Sequence, residues 1–195
     1  MRLVVAMTGA TGAALGVRML EVLRELGVET HLVLSGWARA TISLETPHTV
    51  GEVCALASEV HRYEDQYSPI ASGSFPVDGM VVIPCSMKTL AGIRVGYADG
   101  LVIRAADVTL KERRKLVLVA RETPLSEIHL ENMLALTRMG AVVLPPMPAF
   151  YNRPGSVADI VEHIVSRALD QFGLPAPGAR RWTGRPTNGA ELVSD

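Results

Sequence analysis

A chain of 195 residues, 48% hydrophobic and 20% charged, has room for one domain with a full core. Its net charge of −1 argues against non-specific nucleic-acid binding, which draws on a basic domain. No apolar run approaches the roughly 18 residues of a membrane span, so the positive mean hydropathy points instead to apolar surface at subunit interfaces. Two cysteines, Cys54 and Cys85, make no disulfide framework, and the first residues enter a strand without a signal-peptide core. A cytoplasmic protein is the expectation.

Residues 3–7 read as a short buried strand that runs into the turn Thr8-Gly9-Ala10-Thr11-Gly12. Val17, Leu20 and Leu23 recur at helical spacing and predict a helix over 13–26, stopped by Gly27. Residues 29–34 form a second strand that closes on Ser35-Gly36. Short helices are predicted over 37–44 and 50–58. Residues 61–76, polar and holding Tyr63, Tyr67 and a Ser-Gly-Ser, read as a loop over the site. A third strand, 79–84, ends in Cys85-Ser86-Met87-Lys88-Thr89 and passes into a helix to residue 95.

A helix over 98–112 precedes the fourth strand, 115–120, whose unbroken Val/Leu run marks it as covered on both faces. Arg121 and Glu122 fall at its carboxyl end. Thr123-Pro124 is expected to cap and open the next helix, 125–138, with Ile128, Met133, Leu134 and Leu136 apolar. A fifth strand over 141–144 leads through a proline-rich turn to Phe150-Tyr151, and a last helix over 157–172 stops at Gly173. From Pro175 the Pro/Gly/Arg composition predicts a mostly disordered tail. Five strands alternating with helices imply a three-layer α/β fold, a doubly wound parallel sheet of flavodoxin-like or Rossmann-like form.

In such sheets ligands sit beyond the carboxyl ends of the strands. Three strand ends carry hydroxyls and small residues: Gly9-Ala10-Thr11, Ser35, and Ser86-Met87-Lys88-Thr89. The first is neither a Walker loop nor Gly-x-Gly-x-x-Gly, yet it offers backbone N–H groups at a helix N-terminus, where phosphate is favoured. An ordinary tight turn would look the same. No acid stands where a nicotinamide ribose would want one, so flavin mononucleotide (FMN) fits better than a dinucleotide. Arg104 and Lys111 lie two turns apart on one helical face, and with Arg121 they suggest a phosphate ligand; a solvated basic face is the plain alternative. Cys85 has no partner histidine nearby and reads as a small buried residue. His129 reads as structural. The five histidines show no metal-ligand spacing, so a metal-independent site is expected.

Gly9-Ala-Thr11-Gly12, Pro84-Cys-Ser86-Met-Lys-Thr89, Arg104-Ala-Ala-Asp-Val-x-Leu-Lys111-Glu-Arg-Arg, Arg121-Glu122-Thr-Pro-Leu, His129-Leu-Glu-Asn-Met133 and Phe150-Tyr151 together resemble the UbiX-like flavin prenyltransferases. The resemblance spans about residues 2–174. It implies transfer of a dimethylallyl group from dimethylallyl phosphate to N5 and then C6 of reduced FMN, and delivery of the prenylated FMN to a UbiD-like decarboxylase. It also implies a homododecamer with active sites at subunit boundaries. FMN would contact Gly9, Ala10, Thr11, Ser35, Ser86, Met87, Lys88, Thr89 and Arg121. The prenyl phosphate would meet Tyr151 and Arg167, with Lys111, Arg104 and Glu122 around it and Trp182 closing from the tail. Ser86, Lys111, Arg104 and Glu122 would be the catalytic set. Residues 1–174 would then form the FMN-binding domain and 175–195 a tail, partly disordered or closing over the active site. Two other readings share the fold or the ligand: an FMN-dependent cysteine decarboxylase, and a non-catalytic flavin carrier.

Overall fold

Strands β1 (Arg2–Met7), β4 (Gly79–Cys85) and β5 (Lys115–Ala120) are buried along almost their whole length, as central parallel strands must be. Successive side chains leave on opposite faces. Leu3, Val5, Met7, Val81, Ile83, Val117 and Val119 pack one core with helices α1 (Ala13–Glu25) and α7 (Val157–Asp170). Val4, Ala6, Met80, Val82, Leu116 and Leu118 pack the other, against α4 (Met87–Val95) and α5 (Leu101–Lys111). Helices therefore cover both faces of one sheet, giving the expected three layers.

The computed structural model describes residues 1–176 and 178–184. Within them the sheet has six parallel strands in the order β3-β2-β1-β4-β5-β6, with β2 at Glu29–Leu34, β3 at Glu59–His61 and β6 at Val142–Val143. That is the doubly wound Rossmann order, with its switch point between β1 and β4.

Five strands were expected, and β3 is the addition. It is three residues long and mostly exposed, with one apolar residue, so it carries no apolar signature; the expected helix ended at 58 and the expected loop began at 61, leaving its first two residues unassigned. The helix after α2 (Gly36–Glu45) is correspondingly short: α3 covers Val50–Cys54, fixed by a capping box between Thr49 and Glu52. The segment after β3 is pinned rather than loose. It forms a 3-10 turn at Pro69–Ala71, Ile70 is buried, and Arg114 donates to the carbonyls of Gly73 and Phe75 at 2.8 and 3.0 Å.

Thr123-Pro124 does not open α6 (Glu127–Arg138). Ser126 is the cap, accepting from the His129 N–H at 3.3 Å while His129 Nδ1 accepts from the Ser126 N–H at 3.2 Å. His129 is thus structural, as expected. Of the apolar residues of α6 only Leu136 is buried; Ile128 is 67% and Leu134 52% exposed in the single chain. An apolar face left open in this way is an interface feature.

Candidate functional site

Thr8 organises the crevice at the switch point. It is buried, its hydroxyl donates to the Pro84 carbonyl at 2.9 Å, and the Ser86 N–H donates to that hydroxyl at 2.8 Å. The Arg121 N–H donates to the Cys85 carbonyl at 3.1 Å, and the Ser35 N–H to that of Met7 at 3.1 Å. Four strand ends are thereby laced together. Ser35 then caps α2, accepting from the Ala38 N–H at 3.1 Å, and Ser86 caps α4, accepting from the Thr89 N–H at 3.3 Å and donating to the Thr89 hydroxyl at 3.1 Å.

These caps open on one cavity of about 270 Å³, lined by Thr8, Gly9, Ser35, Trp37, Ser86, Lys88 and Thr89, with Tyr63 and Ile103. Two helix N-termini, four Ser and Thr hydroxyls and an ammonium make it a place for an anion beside an aromatic wall. A Cβ on Gly9 would lie 2.3 Å from the Cβ of Trp37, so only glycine lets that wall stand where it does. The donor set and the flat wall fit FMN, whose phosphate Ser35, Ser86 and Thr89 would hold and whose ring Trp37 would face. Gly9, Ser35, Ser86, Lys88 and Thr89 of the expected flavin set line this cavity; Ala10, Thr11, Met87 and Arg121 flank it in the chain.

The end of α1 differs from expectation. Its exposed amides do not stand open for phosphate, because the Gly12 and Ala13 N–H groups donate to Glu45 Oε2 at 2.8 and 2.9 Å. Burial pushes the Glu45 carboxyl up, but the Thr11 hydroxyl, the two amides and the charge of Arg121 together outweigh it and hold it below the usual carboxylate range. The anion at this helix end is the chain's own. Sequence reasoning missed Glu45. The available signal was an acid closing α2, where the helix dipole disfavours negative charge and a partner elsewhere is needed.

Tyr151, Arg167 and Trp182 come together at a second cavity of about 380 Å³, with His163, Ser166 and Asp170 from α7 and residues 179–181 from the tail. The Tyr151 and Trp182 rings meet edge to face, 5.5 Å apart. Arg104 is elsewhere: it donates to the Ala71 carbonyl at 3.0 Å and to Asp107 at 2.9 Å. Lys111 is paired with Glu112 at the end of α5, just before Lys115, which pairs with Gly79 at the start of β4. It therefore stands at the amino edge of the sheet, opposite the crevice. Glu122 is exposed beside Arg121 and accepts from the Thr123 N–H at 3.1 Å. One chain thus joins the flavin set and the Tyr151–Arg167–Trp182 set separately, and brings Arg104 and Lys111 to neither.

Cys85 is fully buried and burial pushes its thiol up to about 12, so it is no nucleophile near neutral pH. Among the described residues no group of three or more His, Cys, Asp or Glu is placed to hold a metal ion. No helix among them is long and apolar enough to cross a membrane.

A doubly wound sheet with an anion-binding, aromatic-walled crevice at its switch point defines a nucleotide-binding α/β protein, here of flavin type. The flavoprotein family model matches residues 1–169. A probable UbiX-like flavin prenyltransferase of Streptomyces sp. (strain D7) is 71% identical over 185 residues, covering 94% of this chain and 92% of that one. The crystal structure of a dodecameric FMN-dependent UbiX-like decarboxylase from Escherichia coli O157:H7 matches with a TM-score of 0.93 at 68% identity, covering 94% of this chain and all of that one. That of AnUbiX with FMN and dimethylallyl pyrophosphate matches with a TM-score of 0.94 at 59% identity over 95% and 98% of the two chains. The chain belongs to the flavoprotein family and, within it, to the UbiX-like flavin prenyltransferases. The FMN-dependent cysteine decarboxylase TvaF, at 17% identity and a TM-score of 0.61, shares the fold alone.

Proposed function

We infer that this protein is a flavin prenyltransferase: it moves a dimethylallyl group from dimethylallyl phosphate to N5 and C6 of reduced FMN, and a UbiD-like decarboxylase takes up the product. The observation that carries the reading is the pairing of two anion-ready cavities in one chain, one flat-walled at the switch point and one aromatic and arginine-rich at Tyr151, Arg167 and Trp182. A flavin carrier needs only the first.

The residues suit an allylic substitution. The leaving phosphate departs as an anion while the prenyl carbons gain positive character. Arg167 can stabilise the first, and the faces of Tyr151 and Trp182 the second. Each charge-assisted hydrogen bond to phosphate contributes about 1.5–3 kcal/mol, whereas five buried prenyl carbons contribute at most about 4 kcal/mol in all. Phosphate recognition therefore dominates donor binding. Glu122, the exposed acid beside Arg121, is assigned proton handling near the flavin edge and the departing phosphate. Ser86 is assigned to hold the flavin at the α4 cap.

Lys111 and Arg104 can take their assigned parts only from a neighbouring copy, since their own chain places them away from both cavities. The open apolar face of α6 and the dodecameric relative support sites shared between subunits. On this reading residues 1–174 form the flavin domain and the tail closes the donor side, although residues 185–195 lie outside those described. The free thiols of Cys54 and Cys85 support a cytoplasmic setting, with neither nucleic acid nor membrane as partner.

Two variants test the division of labour. Arg121→Ala should lose FMN, whereas Arg167→Ala should keep it and show a KM for dimethylallyl phosphate raised at least tenfold. Equal loss of flavin from both would contradict the assignment.

A further inference from the structure

The donor-side cavity has two walls of different kinds. One is the body of the domain: Tyr151, and His163, Ser166, Arg167 and Asp170 on α7. The other is the tail, Ala179 to Trp182. What joins them is Asp170, the last residue of α7, whose side chain is only 17% exposed. Its two oxygens accept from Arg181 in a bidentate pair, Nη2 on Oδ1 at 2.6 Å and Nη1 on Oδ2 at 3.1 Å. The same Oδ2 accepts from Arg167 Nη1 at 2.6 Å. The neighbouring Arg180 donates to the Asn152 carbonyl at 3.2 Å, and Trp182 lies against Tyr151.

We propose that Asp170 is a positioning residue for the prenyl-transfer reaction: it latches the C-terminal segment to α7 through Arg181 and orients Arg167, so that the donor's phosphate meets a preassembled pair of guanidinium groups under Trp182. The inference rests on the flavin-prenyltransferase reading for its substrate, but the latch itself does not.

The charges explain why a carboxylate belongs there. Two guanidinium groups facing one small cavity repel each other before any anion arrives. A single carboxylate shared between them offsets that repulsion and leaves the trio with one net positive charge, still attractive to phosphate. Only one of the five N–H donors of Arg167 is spent on Asp170, so the remainder of its fork stays available. The bidentate geometry with Arg181 fixes direction as well as distance, which a lysine at either position would not do. Ser166 on the same wall has its hydroxyl buried with no partner among the described residues, which marks this wall as shaped for a polar guest. The latch acts through binding: it holds the tail down before the donor enters, so its loss should appear in KM and leave kcat comparatively unchanged.

The test uses the full chain loaded with FMN. Asp170→Asn keeps the shape and removes the charge; Arg181→Gln removes the other half of the pair from the exposed tail, where folding is not at stake. With reduced FMN and dimethylallyl phosphate, each variant should raise KM roughly tenfold with kcat within about twofold, and the double variant should be no worse than the worse single. Trypsin gives a readout independent of activity. Arg180 and Arg181 are cleavage sites held by the latch, so Asp170→Asn should be cut after both, and Arg181→Gln after Arg180 alone, at least several-fold faster at an unchanged Tm. Wild-type cutting rates in either variant, or single effects on KM that multiply in the double, would overturn the latch. A chain that fails to prenylate FMN yet shows the accelerated cutting would refute the assigned reaction and leave the latch standing.

Discussion

Replacing Thr8 by valine changes one hydroxyl for one methyl at nearly constant volume, and it cuts the link between the ends of β1 and β4. The hydroxyl donates to the Pro84 carbonyl at 2.9 Å and receives the Ser86 N–H at 2.8 Å. The Pro84 carbonyl keeps the Thr8 N–H at 3.2 Å. The Ser86 N–H has no such second partner and is orphaned in a half-buried turn. A lost hydrogen bond costs about 0.5–1.5 kcal/mol and an unsatisfied amide about 1–3 kcal/mol, so the change should destabilise by about 2–4 kcal/mol. For a chain of this size that is a fall in Tm of about 4–16 °C at matched protein concentration. Because Ser86 caps α4 and lines the crevice, FMN retention should fall with stability. Thr8→Ser is the control: it keeps both bonds and loses only a methyl, about 1 kcal/mol. Thermal melts and FMN titration of the two variants decide the matter. A Thr8→Val protein that melts and binds flavin like the wild type would refute this account of the crevice, and so would a Thr8→Ser protein that falls equally far.

Other consequences are as direct. Gly16→Ala should destabilise by about 1–3 kcal/mol in denaturant titration, because its Cβ would sit 2.6 Å from the Ile83 carbonyl and from the Met7 methyl where α1 packs closest on the sheet. Gly9→Ala should destabilise by about 1–3 kcal/mol and weaken FMN binding at least tenfold in titration, since the Trp37 Cβ is set by the backbone at the start of α2 and must shift with it. His61 accepts or donates to His31 at 2.8 Å and to Ser68 at 2.9 Å, and burial first, then the charge of His31, holds its pKa below 6.5. Glu59 and Asp65 oppose that shift and do not reverse it. The unfolded chain therefore binds more protons just below pH 6.5, and stability should fall as pH drops through that window. Melts between about pH 7.5 and 5.5 should show a slope that His61→Gln flattens. Cys85 should resist alkylation by iodoacetamide at pH 7 in the native protein and react only on denaturation, as read by mass.

The central sheet was legible because the physics there is local. Burial on both faces demands unbroken apolar runs, and β1, β4 and β5 have them; glycines with positive φ at Gly27, Gly140 and Gly173 close the helices they follow. The ligand edge followed from strand direction, and Ser35, Ser86 and Thr89 were found by the hydroxyls they place there. What escaped is what tertiary contact decides. Strand β3 is held by register with β2 and not by its own side chains. Ser126 wins the cap of α6 over Thr123 through its reciprocal bonds with His129. Glu45 matters because a fold brings the end of α2 to the start of α1, thirty-two residues away in sequence. Helical spacing put Arg104 and Lys111 on one face, but neither spacing nor a single chain says which crevice that face serves.

The decisive measurement is the mass of the flavin itself. The protein, reduced FMN and dimethylallyl phosphate are mixed without oxygen, and the flavin is released and weighed. The account predicts FMN heavier by one five-carbon unit, formed with wild-type protein and sharply diminished with Arg167→Ala. Recovery of unaltered FMN from a folded, flavin-loaded enzyme would contradict it.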